Sequence, residues 1–234
     1  MSASRLKGKP LLEINNLPII CHVVKKAQQA DIGEVIVATE DEEILNVVNK
    51  NDGKAILTGT HKTGTDRIFE AFEKLKIINT EYVINLQGDE PLIDPKEIIN
   101  LNNLMVKNKC EIGTLAAEIK DKSYLNNENI VKVNTKEKLK INSFEKALNF
   151  FRKNSFDQNS NIYHHIGIYA YRVSVLRKFI NLDQTKNEIQ YRLEQLRALD
   201  NNIEINVALA KSSPIGVDTE EDYLALKKIM EYKS

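Results

Sequence analysis

Short apolar runs alternate along this chain with segments of helical periodicity, and this order restricts its fold more than any other feature. Runs rich in Val and Ile, which favour buried strands, occupy residues 34–39, 55–57 and 82–86. Apolar positions three and four apart predict helices over residues 41–49 and 65–75, one starting near Pro18 and one starting at Pro95. A repeating strand–helix order predicts an α/β fold with a mostly parallel sheet and helices on both faces.

The second half of the chain is richer in strands. Strand patterns occupy residues 112–119, 130–133, 162–171 and 203–210, and polar loops are predicted at residues 135–142 and 154–161. Helices are predicted at residues 173–180 and 188–199, and a last helix opens with Thr219 and Asp222 at capping-box spacing. We therefore predict a single domain over residues 1–234, with a smaller β-rich lobe at roughly residues 110–172.

Composition excludes several classes of function. The 234 residues are 42% hydrophobic, enough for one sizeable core, and the formal net charge is +0. A neutral chain offers no field to attract nucleic acid or a membrane surface, and no apolar run approaches the about 18 residues of a membrane span. The N-terminus carries no apolar signal segment, and two cysteines give no disulfide framework, so we predict a cytoplasmic protein.

Two aspartates end predicted strands. Asp89 follows an apolar strand and Gly88, and Asp218 follows a short apolar segment near the last helix. Ligands of open α/β sheets bind at the carboxyl ends of strands, where two carboxylates could share a Mg²⁺ beside phosphate groups. The alternative interpretation is a solvated turn at Asp89 and an ordinary helix N-terminal residue at Asp218.

Two loops are suited to binding an anion or a nucleotide. Residues 5–10 combine Arg5, Lys7 and Lys9 with Gly8, and such a loop can wrap phosphates, although terminal cations are commonly just solvated. Residues 58–67 carry two glycines and four threonines at a predicted helix N-terminus, which favours a pocket rim or, alternatively, a well-capped loop.

Polar side chains of the second half have two open interpretations. Strand alternation places His165, Gly167 and Tyr169 on one face, which could line a sugar pocket or simply satisfy a structural histidine. Glu194 and Gln195 lie on a predicted amphipathic helix and face either solvent or a pocket.

Taken together, six motifs in order make this chain resemble the 3-deoxy-manno-octulosonate cytidylyltransferase family over nearly its whole length. The motifs are Ser4-Arg5-Leu6-x-Gly8-Lys9-Pro10-Leu11, His61-x-Thr63-Gly64-Thr65-Asp66-Arg67, Gln87-Gly88-Asp89-Glu90-Pro91, His165-Ile166-Gly167-Ile168-Tyr169-x-Tyr171-Arg172, Leu193-Glu194-Gln195-Leu196-Arg197 and Gly216-Val217-Asp218-Thr219. The resemblance implies a Rossmann-like nucleotidyltransferase that joins 3-deoxy-manno-octulosonate (Kdo) to CTP with Mg²⁺, giving CMP-Kdo and pyrophosphate for lipopolysaccharide synthesis. It also implies a homodimer formed through the β-rich lobe.

The resemblance assigns roles to matching positions. The implied catalytic residues are Arg5 and Lys9 at the triphosphate and Asp89 and Asp218 at the metal. The implied nucleotide contacts are Arg5, Lys9, Thr63, Gly64, Thr65, Arg67 and Gln87. The implied sugar-acid contacts are Arg152, His165, Tyr169, Glu194 and Gln195. Both substrates are negatively charged, so the site must supply positive charge, and Arg152 or His165 could pair with the sugar carboxylate.

The chain departs from the family pattern in four places, one of which, Glu220 in place of a proline after Thr219, should have little effect. The family's first strand, which ends in Pro-Ala-Arg, would precede Met1, and we expect the natural chain to begin earlier. Asn154-Ser155 stands where the family has Ile-Pro after Arg152, and Lys7 replaces a proline. Two alternatives stay open: a cytidylyltransferase for another acidic sugar, such as a sialic acid, and a truncated nucleotide-binding protein without activity.

Overall fold

The computed structural model describes residues 6, 8–121, 123–153, 161–211 and 216–231. The strands are β1 Glu13–Ile14, β2 Leu17–Pro18, β3 Val37–Thr39, β4 Ala55–Leu57, β5 Tyr82–Asn85, β6 Ile112–Ala117, β7 Lys132–Thr135, β8 Phe144–Phe151, β9 Asn161–Arg172 and β10 Ile205–Leu209. The helices are α1 Ile19–Ala30, α2 Glu42–Lys50, α3 Gly64–Leu75, α4 Pro95–Asn108, α5 Ser123–Asn126, α6 Val173–Ile180, α7 Lys186–Tyr191, α8 Leu196–Asp200 and α9 Glu220–Glu231.

The chain divides into two compact units. The first comprises residues 1–78, 86–99 and 214–234, and the second comprises residues 79–85 and 100–213. The predicted β-rich lobe, residues 110–172, lies wholly within the second unit.

Helix α1 lies between two hydrophobic clusters of the first unit. Ile19 packs with Ile14, Val217 and Leu226 in one cluster. The next residues of the helix, Ile20, Cys21 and Val24, pack with Val48 in the other. Both faces of α1 are therefore buried, which anchors the N-terminal segment between α9 and the β3–α2–β4 region.

The β3–α2–β4–α3 segment of the first unit follows the predicted strand–helix order. Strands β3 and β4 pair in parallel. Asp41 caps α2 by accepting from Glu43 N at 2.8 Å, and Thr63 caps α3 by accepting from Asp66 N at 3.2 Å. Such caps satisfy backbone donors that a helix start would otherwise leave unpaired.

A six-stranded sheet in the order β5-β9-β6-β10-β8-β7 forms the second unit. Strands β6 and β10 pair in parallel, and the other recorded ladders of this sheet are antiparallel. Helix α4 packs so closely on the sheet that a Cβ added at Gly113 would overlap the Met105 sulfur. The predicted α/β fold with a β-rich region is confirmed.

The mostly parallel pairing expected for the sheet needs correction. Strand β9 is 12 residues long and runs antiparallel to β5, β6 and β7, which makes three of the six ladders of this sheet antiparallel. Strand β8, which the sequence patterns did not predict, adds two more antiparallel ladders. Buried and exposed residues do not alternate strictly along β8, and Phe150 and Phe151 are both buried. The two-residue hydrophobic period that indicates a strand is therefore hidden in the sequence.

Other boundaries also differ from the predictions. The helix predicted at residues 188–199 is two short helices, because Arg192 adopts a left-handed backbone with φ of 54°. The strand predicted at residues 130–133 begins at Lys132 and continues to Thr135. Within the described residues, no helix is long and apolar enough to cross a bilayer. Cys21 and Cys110 are free thiols, as expected.

Candidate active site

Asp89 and Asp218 converge on one ammonium group in the first unit. Lys9 Nζ contacts Asp89 Oδ2 in a short ion pair and Asp218 Oδ1 at 3.1 Å. The side chain of Asp89 is 18% exposed and that of Asp218 is 66% exposed, so the cluster is open to solvent on the Asp218 side. Three residues separated by up to 209 positions along the chain thus meet at one place.

Backbone contacts explain this convergence. Val217 N donates to Asp89 O at 3.0 Å, which holds the two aspartate-bearing segments side by side. Gly8 has a φ of 69°, the left-handed region that glycine tolerates, and the turn that follows carries Lys9. Asp222 accepts from Asp218 N at 3.1 Å and from Thr219 N at 2.9 Å, so the predicted capping box fixes the start of α9 beside the cluster.

The electrostatics of the cluster favour bound positive charge. Burial alone would lower the pKa of Lys9, but the charge and hydrogen bond of Asp89, and then those of Asp218, raise it above its ordinary value of 10.5. Two carboxylates already sharing a cation are the donor set that Mg²⁺ takes in proteins, with waters and phosphate oxygens completing its shell. The described residues contain no group of three or more candidate ligands, so a metal here would depend on such outside oxygens.

The loop before α3 is fastened to that helix by Glu70. The Glu70 carboxylate accepts from Gly59 N at 3.0 Å, pairs with Lys74 at 2.5 Å and contacts His61 Nε2. Hydrogen bonds from Lys74 first, and then from His61, lower the pKa of Glu70 to about 2. The polar loop at residues 58–64 therefore has one ionised anchor.

Some polar atoms of this region remain unused. Arg67 pairs with Glu40 through Nη2 at 3.2 Å, yet its buried Nε has no hydrogen-bond partner. The buried hydroxyl of Thr58 also has none. Because buried polar groups are normally paired, unpartnered ones point to a ligand that completes them.

The other predicted nucleotide residues have varied positions. Thr63 caps α3, Gly64 starts it and the Thr65 side chain is buried. Gln87 is exposed on the segment between β5 and Asp89. Arg5 lies outside the described residues.

In the second unit, a bulge in β9 brings His165 and Tyr169 together. Thr114 pairs with Tyr169 while the next residue, Leu115, pairs with Ile166, so two residues of β9 have no counterpart on β6. Four residues of regular strand span about 13 Å, but the two rings lie 5.3 Å apart. The two extra residues leave His165 and Tyr169 on the same face of β9, as alternation predicted. They also shorten the distance between these two side chains along that face.

His165 is held as a neutral side chain. Burial first, and then the nearby His164, lower the pKa of His165 to about 3. The Thr114 hydroxyl donates to Ile168 O at 2.7 Å, and its one proton is thereby used. His165 Nε2, 3.0 Å from the same oxygen, is therefore the donor of that contact. Arg152 and His165 were the two residues predicted as possible partners of the sugar carboxylate, and of these only Arg152 carries charge at neutral pH.

Glu194 lies within electrostatic reach of Tyr169. Burial, then Tyr171, then Glu194 raise the pKa of Tyr169 well above its ordinary value of 10.0. The predicted helix around Glu194 and Gln195 is wrong: Glu194 precedes α8, and Gln195 is its N-cap. Arg152 Nη1 donates to Glu128 O at 3.2 Å and to Asn129 O at 3.3 Å. The structure thus groups His165, Tyr169 and Glu194, and holds Arg152 at a turn.

Comparison with known proteins identifies the family. A cytidylyltransferase family model matches residues 1–205. The chain is 42% identical over 234 residues to a 3-deoxy-manno-octulosonate cytidylyltransferase of Afipia carboxidovorans, an alignment that covers 98% of this chain and 93% of that protein. The corresponding protein of Thermodesulfovibrio yellowstonii is 41% identical, with 97% and 94% covered. The chain belongs to the 3-deoxy-manno-octulosonate cytidylyltransferase family.

Solved structures agree with the cytidylyltransferase assignment. A CMP:2-keto-3-deoxy-manno-octonic acid synthetase complexed with CTP superimposes with a TM-score of 0.88 at 34% identity, covering 99% of this chain and 95% of that one. A UDP-glucose pyrophosphorylase complexed with UDP-glucose superimposes with a TM-score of 0.69 at 17% identity, which shows a shared fold alone.

Sequence patterns missed three residues that organise this cytidylyltransferase. Glu70 anchors the loop at residues 58–64, Lys132 is buried under a turn, and Glu188 pairs with a buried arginine. Glu188 had a usable signal, because Thr185 and Glu188 have capping-box spacing and form that motif. Lys132 had a weaker signal in the sequence, since it interrupts an otherwise apolar strand.

Proposed function

We propose that this chain transfers the cytidylyl group of CTP to Kdo and releases pyrophosphate. The anomeric oxygen of Kdo attacks the α-phosphorus, the bond from that phosphorus to the β-phosphate oxygen breaks, and the hydroxyl proton is lost. The observation that carries the proposal is the bridge of Lys9 between Asp89 and Asp218, in a chain of the family named for this reaction.

We propose that Asp89 and Asp218 hold Mg²⁺, which when bound would neutralise phosphate charge at the nucleotide. Lys9 and Arg5 would bind the triphosphate, and as point charges they would also stabilise the departing pyrophosphate. Support comes from the shared ammonium, because it marks a position where both carboxylates accept positive charge at once.

The loop at residues 58–64 and the start of α3 are proposed to bind the cytidine. The unpartnered Arg67 Nε and Thr58 hydroxyl supply a donor and a donor–acceptor for polar groups of a base or ribose. Thr63, Gly64, Thr65 and Gln87 would complete these contacts. Tight anchoring by Glu70 would keep the loop preorganised, which reduces the entropy lost on binding.

In the second unit we propose that Arg152 binds the Kdo carboxylate and that His165, Tyr169, Glu194 and Gln195 bind its hydroxyl groups. A guanidinium suits a planar carboxylate, which it can engage through two parallel hydrogen bonds. His165 is neutral and donates a hydrogen bond from Nε2 to Thr114. These properties suit hydrogen bonding to a sugar hydroxyl rather than an ion pair with the sugar carboxylate.

A cytoplasmic homodimer is also proposed. The family resemblance supports it, as do exposed apolar side chains of the second unit such as Ile141, Leu148 and Ile189. Molar mass by light scattering after size-exclusion chromatography tests the dimer, and a monomer at micromolar concentration would contradict it.

Pyrophosphate release tests the activity. We expect release when the purified protein is mixed with CTP, Kdo and Mg²⁺, and none when Kdo or Mg²⁺ is left out. A parallel reaction with sialic acid in place of Kdo tests the alternative sugar, and turnover of sialic acid alone would reverse the assignment. CTP binding without release in either reaction would favour a binding protein without activity.

A further inference from the structure

Four consecutive backbone carbonyls in the turn at residues 127–130 accept hydrogen bonds from two cationic side chains. Lys132 Nζ donates to Asn127 O at 2.8 Å and to Ile130 O at 2.9 Å. Arg152 Nη1 takes the two carbonyls between them, Glu128 O at 3.2 Å and Asn129 O at 3.3 Å. One lysine and one arginine therefore bind every carbonyl of the turn, in addition to the turn's own hydrogen bond from Ile130 N to Asn127 O at 3.2 Å.

Lys132 is fully buried, and its hydrogen bonds require the charged form. Its side chain also donates to the backbone oxygen of Arg152, which gives Nζ three carbonyl acceptors. An ammonium has three N–H donors and a neutral amine has two, so three acceptors require the ammonium. Burial first, and then Arg152, lower the pKa of Lys132, yet the three carbonyls are the acceptors that stabilise its proton.

The same lysine borders the strand that carries the proposed sugar contacts. Lys132 pairs with His164 in the β7–β9 ladder, and Val131 O accepts from His165 N at 3.0 Å. Lys132 thus connects three parts of the second unit, namely the turn at residues 127–130, the backbone at Arg152 and strand β9.

The recorded hydrogen-bond acceptors of Lys132 among the described residues are carbonyl groups, and no carboxylate hydrogen-bonds to it. Carbonyl dipoles satisfy the N–H groups without neutralising the charge, and the charge of Glu128 raises the pKa of Lys132 by less than burial and Arg152 lower it. A buried charge of this kind, beside a guanidinium, favours an incoming anion, because little water screens it.

We propose that Lys132 is a positioning residue for the sugar acid, and that it holds the turn and the Arg152 backbone so that the guanidinium meets the substrate carboxylate. This inference rests on the proposed function, in which Arg152 binds that carboxylate. The turn carbonyls accept from Nη1 of the guanidinium, and a substrate carboxylate would compete with them for these N–H groups.

Lys132→Met tests the proposal, since it keeps the length of the side chain and removes its charge. We expect the KM for Kdo to rise at least about tenfold, the effect expected when one charge-assisted hydrogen bond is lost. The values of kcat and of the KM for CTP should change less than about threefold. A KM for Kdo that stays at the wild-type value, or an equal rise in the KM for CTP, would overturn it.

The matched control is Lys146→Met on the neighbouring strand β8. Its side chain is 52% exposed and pairs with Glu204, so the substitution removes a surface charge and leaves the turn intact. Both KM values should stay within about twofold of wild type, as for other exposed ion pairs. The wild-type protein assayed alongside separates the two hypotheses: no wild-type turnover refutes the proposed function, whereas normal turnover with an unaffected Lys132→Met refutes this inference alone.

A second measurement covers the case in which Lys132→Met does not fold. The ¹⁵N–¹H signal of the Lys132 ammonium can be followed in the wild-type protein with CTP and without divalent cation, so that no turnover occurs. We expect the signal to shift when Kdo is added. An unchanged signal at a Kdo concentration that saturates the protein would overturn the proposal.

Discussion

The two units of the chain each contain a cation held by carboxylates, but the two arrangements differ in exposure and in purpose. Lys9 in the first unit joins Asp89 and Asp218, and the latter is 66% exposed. Arg197 in the second unit binds Glu188 through two hydrogen bonds of 2.5 and 2.8 Å, with side chains only 3% and 4% exposed.

The difference shows which group of charges can exchange partners. Solvent reaches the Lys9 cluster, so a metal ion or a phosphate can replace one of its contacts. The Glu188–Arg197 pair is sealed: burial would raise the pKa of Glu188, but hydrogen bonds from Arg197 and Gln184 outweigh it and hold that pKa below 4.5. Arg197 also lies over the Phe179 ring at 4.7 Å, and the carboxylate of Glu194 is 4.0 Å from its guanidinium. We infer that the first cluster serves chemistry and the second serves folding.

Removing charge from the exposed cluster should cost activity and little stability. For Asp89→Asn we expect turnover to fall about a thousandfold, since several kcal/mol of charge stabilisation at the phosphates is lost. Pyrophosphate release at saturating CTP, Kdo and Mg²⁺ measures this, and the melting temperature should change little. Asp183→Asn, at an exposed site, is the control; an Asp89→Asn enzyme as active as this control would remove Asp89 from the site.

Breaking the sealed pair should have the opposite result. Glu188→Gln keeps the size of the side chain but removes the carboxylate that binds Arg197 through two hydrogen bonds, and Glu194 lies farther away, at 4.0 Å. The loss should reduce the free energy of unfolding by about 3–5 kcal/mol. Urea denaturation followed by circular dichroism measures it, because the chain has no tryptophan for fluorescence.

The exposed pair Lys146–Glu204 provides the matched comparison for Glu188→Gln. Glu204→Gln should cost about 1 kcal/mol or less, as exposed pairs do. Equal losses in the two variants would contradict the distinction between sealed and exposed charges.

Lys9→Met would sharpen the comparison at the proposed metal site. Lys9 and Mg²⁺ would draw on the same carboxylates, so removing Lys9 should make Mg²⁺ binding without nucleotide about three- to tenfold tighter, the value of one partly exposed charge pair. Isothermal titration with Mg²⁺ measures the affinity, and Lys146→Met serves as the surface control. Unchanged or weaker binding would argue against a magnesium site at Asp89 and Asp218.

The smallest effect is expected at Glu70, a partly exposed anchor of the nucleotide loop. Its folded-state pKa of about 2 lies below the ordinary 4.5, so its contribution to stability is complete above about pH 4.5 and disappears as the pH falls towards 2. Glu70→Gln should therefore be less stable than wild type at pH 7, and the difference should shrink on acidification. Urea denaturation at several pH values checks this against the exposed control Glu43→Gln, and a gap independent of pH would be inconsistent with it.

Local patterns in the sequence were sufficient for helices α2 and α3 of the first unit. Helices α2 and α3 have capping residues, apolar spacing and short connections that agree with one another, and the structure places them within one residue of prediction. The convergence of Asp89 and Asp218 was expected from strand ends alone, whereas their shared partner Lys9 was not, because an ion pair across 209 residues leaves no local pattern.

The second unit was harder to predict because its decisive features are tertiary. Strand β8 lacks the alternation of buried and exposed residues that indicates a strand. The helical pattern at residues 188–199 is interrupted by a left-handed residue, but that residue is Arg192 and not the glycine or asparagine that usually marks a helix end. The ammonium of Lys132 depends on three carbonyls from two segments, the turn at residues 127–130 and the backbone at Arg152, so no motif in the sequence specifies it.

The unmatched pair of residues in β9 has a consequence for how this protein tolerates change in length. Removing residues 167 and 168 together would leave His165 and Tyr169 facing the same way, while removing one of them would turn one ring to the opposite side of the sheet. Insertions and deletions of even size would therefore change the distance between these two rings without moving either ring to the other face of the sheet.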